Sequence, residues 1–129
     1  MKRLMWAGLM VIAAAFGTAS QALAHHSHAM FDHTRETTVT GTVKEFVFRN
    51  PHVYLYVDVK NDRGEMVTYS VEMSNIPNMI RQGITQSTFK AGEGVTVTVH
   101  PLRDGRPGGD YATLTTADGR TFDRDSDAQ

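Results

Sequence analysis

The chain has 129 residues, with 13 basic and 14 acidic side chains, six histidines and no cysteine. Without cysteine it has neither disulfides nor thiolate metal centres. A net charge of −1, with histidine neutral, makes the chain a poor candidate for nucleic-acid binding, where a basic face is expected.

Met1, Lys2 and Arg3 open the chain, and an uncharged run follows over residues 4–16, "LMWAGLMVIAAAF". Then come "GTASQ" and Ala22-Leu23-Ala24. A basic end, an apolar core and a small-residue site make the layout of a secretory signal peptide. The core is shorter than the ~20 apolar residues of a membrane span. The expectation is cleavage after Ala24, a periplasmic or secreted protein, and no membrane span after cleavage. No cysteine follows the site to take a lipid. The mature chain would be residues 25–129, with 11 basic against 14 acidic residues and a net charge of −3. That length suits one small domain. A small exported domain without disulfides must rely on its core alone, and a closed β-barrel is one way to do so.

Residues 25–36, "HHSHAMFDHTRE", read as a polar, histidine-rich arm. A β-rich stretch follows. "TTVTGTVKEFVFRN" (37–50) alternates through Val39, Gly41 and Val43, then shifts phase to Phe46 and Phe48, which predicts a bulge in a long bent strand. "PHVYLYVDVK" (51–60) alternates cleanly, with Val53, Leu55, Val57 and Val59 on one face and Tyr54, Tyr56, Asp58 and Lys60 on the other. "NDRG" is a hairpin signal, and "EMVTYSVE" (65–72) makes a third strand. "SNIPNMIRQG" (74–83) reads as a short helix, with Pro77 in its first turn and Gly83 past its end. "VTVTVHP" (95–101) is a fourth strand. "RDGRPGGD" (103–110) reads as a turn-rich loop, "YATLTT" (111–116) as a fifth strand, and "TF" as a short final pairing. Residues 123–129 read as a disordered tail. Three strands, a helix and two strands is the order of the OB-fold. The predicted class is therefore all-β with one short helix: a five-stranded OB-like barrel over residues 37–122. The predicted core is Val43, Phe46, Val53, Leu55, Val57, Val59, Val71, Val95, Val97 and Val99.

The histidine arm is the sharpest chemical signal. After cleavage, His25 would carry the free α-amine, with a pKa of about 7.7–8.0, beside imidazoles that titrate near about 6.5. In an extended segment His26 and His28 share a face. Nitrogen donors of this kind suit copper, nickel or zinc better than calcium or magnesium. Ser27 stands third, so the amino-terminal copper and nickel motif that needs histidine there is absent. Asp32 and His33 can complete a shell near the arm, and His52, in Asn50-Pro51-His52, stands at a strand mouth where sites are common. The alternative is a solvated tail and a structural turn, because a histidine-rich tract is only a compositional hint of metal binding. His100 has a weaker case. Met30, Met73 and Met79 suit copper(I), but methionine more often fills core gaps. Tyr54 and Tyr56 form a candidate stacking platform, as OB-folds use for oligomers, or pack under the arm.

The segments "ALAHHSHAMFD", "GTVKEFVFRNPHVYLYVDV", "FKAGEGVTV", "HPLRDGRPGGD" and "TADGR", in this order, resemble an uncharacterised family of small exported bacterial proteins, a domain of unknown function. Its members carry a signal peptide, then His-His-Ser, Gly-Thr-Val and Asn-Pro-His. The resemblance spans essentially the whole mature chain. Two places depart from it: Tyr69 stands where the family shows Trp, and Gly83-Ile84 where it shows Gly-Trp. The resemblance implies export and an OB-like barrel, and no activity.

No hydrolase, phosphate-loop or zinc-protease motif occurs, so no residue is assigned a catalytic role. The leading expectation is a periplasmic, non-catalytic module that binds a divalent transition metal, copper favoured, through His25, His26, His28 and His52. A second is a module that binds a protein or oligomeric ligand on its barrel face, with the histidines incidental. A third is a small copper-dependent accessory enzyme. An unidentified periplasmic protein is a further candidate partner.

Overall fold

The computed structural model describes residues 29–127. The chain divides into two units, residues 1–30 and 31–129, and the regular structure described lies in the second. Its elements are β1 (Thr37–Val47), β2 (Tyr54–Lys60), β3 (Met66–Glu72), α1 (Ile76–Arg81), β4 (Gly94–Pro101), β5 (Gly108–Thr116), β6 (Thr121–Asp123) and a 3-10 turn, Arg124–Asp127. The sheet runs β3-β2-β1-β4-β5-β6, and a further pairing of β3 with β5 closes the first five strands into a barrel. That closing pair is parallel, Ser70–Glu72 against Gly108–Asp110, and the other strand pairs are antiparallel. Five closed strands with a helix between the third and fourth is OB-fold connectivity.

Alternation becomes layering. On β2 and the residue before it, Val53, Leu55 and Val57 are fully buried, while Tyr54, Tyr56 and Asp58 face outward. On β4, Val95, Val97 and Val99 point inward. The predicted bulge sits between Val43 and Glu45, where the β1–β2 register shifts. It lets one long strand bend far enough to pair with β4 through its first half and β2 through its second. Gly41 stands at the crossing: a Cβ there would lie 2.2 Å from the Asp58 carbonyl oxygen. Asn75 caps α1, its Oδ1 accepting from Asn78 N at 3.0 Å, and Met79 is the helix's buried residue. With Ile84 and Phe89, Met79 joins the core. Among the described residues no helix is long and apolar enough to cross a membrane.

Four features differ from the expectation. Gly108–Asp110, predicted as loop, are the part of β5 that closes the barrel. Glycine reads as a turn signal, yet here its missing side chain lets two backbones meet. Phe31, placed in the polar arm, is buried at 4% exposure and bridges to Leu102. Asp123 ends β6 and residues 124–127 form the 3-10 turn, where the sequence predicted a disordered tail. Arg124 is held there by the buried carboxylate of Asp110.

Phe46 is half-buried rather than central, with ring contacts to Phe48 at 5.7 Å and Phe89 at 5.2 Å. Phe46→Ala is therefore expected to cost about 2 kcal/mol, below the ~3–5 kcal/mol of a fully buried phenylalanine. Urea unfolding checks this, and no measurable loss would put the bulge register in error.

Candidate functional site

The alternation that buries Val99 turns His100 to the outside of β4. The lead-in segment is laid beside it by backbone bonds. Asp32 N donates to the Pro101 carbonyl at 2.8 Å, and Arg35 N to the Asp32 carbonyl at 3.2 Å. Asp32 Oδ1 accepts from both the amide and the hydroxyl of Thr34, which tightens the turn. The same Thr34 bonds hold the Asp32 carboxyl below its usual value. So the turn uses Asp32, which sequence offered as a metal donor.

This turn brings the His33 ring to 4.9 Å from the His100 ring, centre to centre, at a tilt of 54°. His100 Nδ1 lies 3.0 Å from the Arg35 carbonyl oxygen. A carbonyl only accepts, so Nδ1 carries the hydrogen, and in the neutral ring the lone pair is then on Nε2. A backbone carbonyl fixing one imidazole nitrogen is how proteins orient the other toward a metal. The spacing also suits one. Metal–nitrogen bonds of about 2.0–2.1 Å put two imidazole centres on a shared ion roughly 4.5–5.2 Å apart, for angles between about 90° and 110°. The pair opens on a cleft of about 420 Å³, which also takes in Glu36, Asp123, Arg124 and Asp125. Among the described residues no group of three or more His, Cys, Asp or Glu side chains is placed to hold a metal. The pair therefore offers two imidazoles and, among the described residues, no third side chain of these types.

The other predicted residues lie elsewhere. His25, His26 and His28 fall outside the described residues. Asn50 Oδ1 accepts from Ile76 N at 2.9 Å, so it ties the β1–β2 loop to the start of α1 rather than bonding its own turn. His52 Nδ1 pairs with the Glu72 carboxylate. Tyr54 stands opposite Glu72 across the β2–β3 pair. Burial, then the charge and bond of Glu72 and the nearby Tyr56, push the Tyr54 hydroxyl up to about 12. It stays protonated at any physiological pH. The Tyr54 and Tyr56 rings lie 6.1 Å apart and 16° from parallel.

Sequence reasoning gave His100 a weaker case than the arm histidines and did not pair it with His33. Its outward parity on the fourth strand was readable, but the partner that makes it a pair was not. Phe31 was the missing clue, since an apolar residue two positions before His33 is what pins that segment to the end of β4.

No curated protein matches the sequence. Among solved structures, the chain is similar to the mitochondrial single-stranded DNA-binding protein Rim1 from S. cerevisiae. The identity is 12%, the TM-score is 0.49, and the match covers 64% of this chain and 93% of that one. The model of a family of unknown function, DUF6152, matches residues 13–111, and the chain belongs to that family.

Proposed function

We propose that the protein is an exported, non-catalytic module that binds a divalent transition metal, copper(II) favoured. The His33–His100 pair carries this reading: two imidazoles at metal-sharing distance, one with its lone pair set by a backbone carbonyl. Copper(II) stands highest in affinity for nitrogen donors among the first-row divalent ions. Calcium and magnesium prefer oxygen ligands. The amino-terminal His25, His26 and His28 supply a second nitrogen set in this proposal, on the strength of sequence alone. Export rests on the leader pattern of residues 1–24.

Three forms of the processed protein test the reading by calorimetric titration with copper(II), nickel(II) and zinc(II). They are wild type, His33→Ala/His100→Ala, and His25→Ala/His26→Ala/His28→Ala. The His33/His100 double variant should bind copper(II) at that site at least about tenfold more weakly, a loss of ~1.4 kcal/mol. The triple variant should lose a separate binding event. Acidification should weaken both, because protons displace metal from imidazole nitrogen. Equal, weak binding by all three forms would sink the metal reading.

The leader is checked apart from the metal. Amino-terminal sequencing of protein recovered from the periplasm should begin at His25. A different start would remove the amine of His25 from the second nitrogen set.

A further inference from the structure

The barrel closes unevenly. β3 pairs with β2 along its whole length, but with β5 only at Ser70, Val71 and Glu72. The first half of β3 therefore has a strand partner on one side only. Backbone direction alternates along a strand, and Ser70 N donates to the Pro107 carbonyl at 3.3 Å on the β5 side. By the same alternation Met66 and Thr68 turn their N–H and C=O groups to that side, where no strand among the described residues pairs with them. Sheet edges are normally protected by charge, proline or a bulge. Residues 66–69, Met-Val-Thr-Tyr, have neither charge nor proline. Their pairing with β2 runs without a register shift. Met66 is left 63% exposed on this edge.

The inner side of the same edge is short of cover. Its inward residues pass from Val71, fully buried, to Tyr69 and Val67, which are half-buried. Beside them a cavity of about 370 Å³ opens between β3, the turn after β2 and the loop before β5. Val59, Val67 and Leu102 are in its apolar wall, and its rim sets Lys60 and Arg106 against Asp62, so neither sign of charge is favoured. Open backbone groups beside an apolar recess are what an added strand needs. Its backbone bonds Met66 and Thr68, and one of its side chains points inward over Val67 and Tyr69. A second copy of this chain fits less well. Pairing β3 with its counterpart would present inner-face side chains that already serve the other copy's own barrel. An extended segment outside any sheet has no such commitment.

We infer that the open half of β3 is a docking edge for an extended peptide segment of a partner protein, with an apolar side chain of that segment in the barrel mouth. Main-chain bonds to Met66 and Thr68 supply affinity for a strand, and the cavity selects the apolar side chain.

The probe is the blocked pentapeptide acetyl-TSLST-amide, titrated into isotope-labelled processed protein. The amide signals of Met66 and Thr68 should shift saturably and their hydrogen exchange should slow. Replacing the central leucine by alanine or aspartate should weaken binding about tenfold or more. N-methylation of the peptide backbone should follow strand alternation: at one of two adjacent residues it abolishes binding, and at the other it is tolerated. Thr68→Pro removes an N–H that faces the open side, where an edge strand accepts proline. It should abolish binding while a thermal melt shows the barrel intact. Met66→Pro, at the first residue of the strand, makes the same test should Thr68→Pro fail to fold. The inference is overturned if the pentapeptide does not bind at millimolar concentration, or if binding survives both proline variants. It is overturned too if acetyl-leucine amide binds as tightly as the pentapeptide, which would make the cavity a small-ligand site. A dimer in sedimentation that Thr68→Pro dissolves would also overturn it, by making the edge an interface between copies.

Discussion

Tyr111→Ala is expected to lower the stability of the barrel by about 4 kcal/mol, within the ~3–5 kcal/mol range of large buried aromatics. Among the described residues Tyr111 is the largest fully buried side chain, at 1% exposure. It opposes Val99 across the β4–β5 pair. Its hydroxyl donates to Gln82 Oε1 just past α1, so one side chain joins the sheet to the helix end. Removing it leaves a cavity between elements that are held by their own hydrogen bonds and collapse only in part. A domain of this size has a total stability of about 5–15 kcal/mol, and no disulfide here limits the unfolded state. Urea unfolding should show a large drop in midpoint. Tyr111→Phe keeps the ring and removes only the bond to Gln82, so its loss should be nearer ~1 kcal/mol. A Tyr111→Ala protein as stable as wild type would mean that β5 does not pack where it is described.

Much of the barrel was legible because alternation reports the parity of each residue. Val53, Leu55 and Val57 inward, with Tyr54 and Tyr56 outward, needs only the pleat of a strand. The bulge after Val43 showed as a phase shift, and Pro77 and Gly83 bracketed the helix. Parity does not name partners, however. Nothing local announces that Ser70–Glu72 will pair with Gly108–Asp110, because the two segments are far apart in sequence and the second is rich in turn residues. Phe46 has the right parity and still sits half-exposed, since it lies past the bulge near the barrel's end. The site was less legible than the fold for the same reason. His33 was readable as part of a tract and His100 as an outward strand residue. Their meeting depends on Phe31, Asp32 and Pro101 fixing the lead-in segment against β4. The tyrosine pair was readable outright, whereas Glu72 opposite Tyr54 needed the register.

Gly109→Ala is expected to damage the fold and the histidine pair together. A Cβ at Gly109 would lie 2.2 Å from the His100 carbonyl oxygen and 3.0 Å from Val99 Cβ. Both are parts of the paired strand and neither can swing aside, so the backbones of β4 and β5 must separate. Forced expansion of packed structure costs about 1–3 kcal/mol, and rigid backbone belongs at the upper end. The next residue back gives no room, since a Cβ at Gly108 would lie 2.3 Å from the Ser70 carbonyl oxygen on β3. Three strands thus meet at Gly108–Gly109, next to His100. Displacing the His100 backbone moves its ring relative to His33 and strains the Nδ1 bond to Arg35. On the proposed metal reading, copper(II) affinity should therefore fall along with stability. Two controls separate the causes. Gly119→Ala adds a side chain in open space at φ +88°, so it carries only the ~1–2 kcal/mol of a left-handed conformation. It should leave metal binding alone. Gly41→Ala meets the Asp58 carbonyl oxygen at 2.2 Å, at the β1–β2 crossing. It should destabilise as much as Gly109→Ala while the folded fraction binds copper(II) normally. If Gly109→Ala binds copper(II) as wild type does while losing stability, the His33–His100 spacing does not depend on the β4–β5 closure, and the two-nitrogen site loses its structural basis.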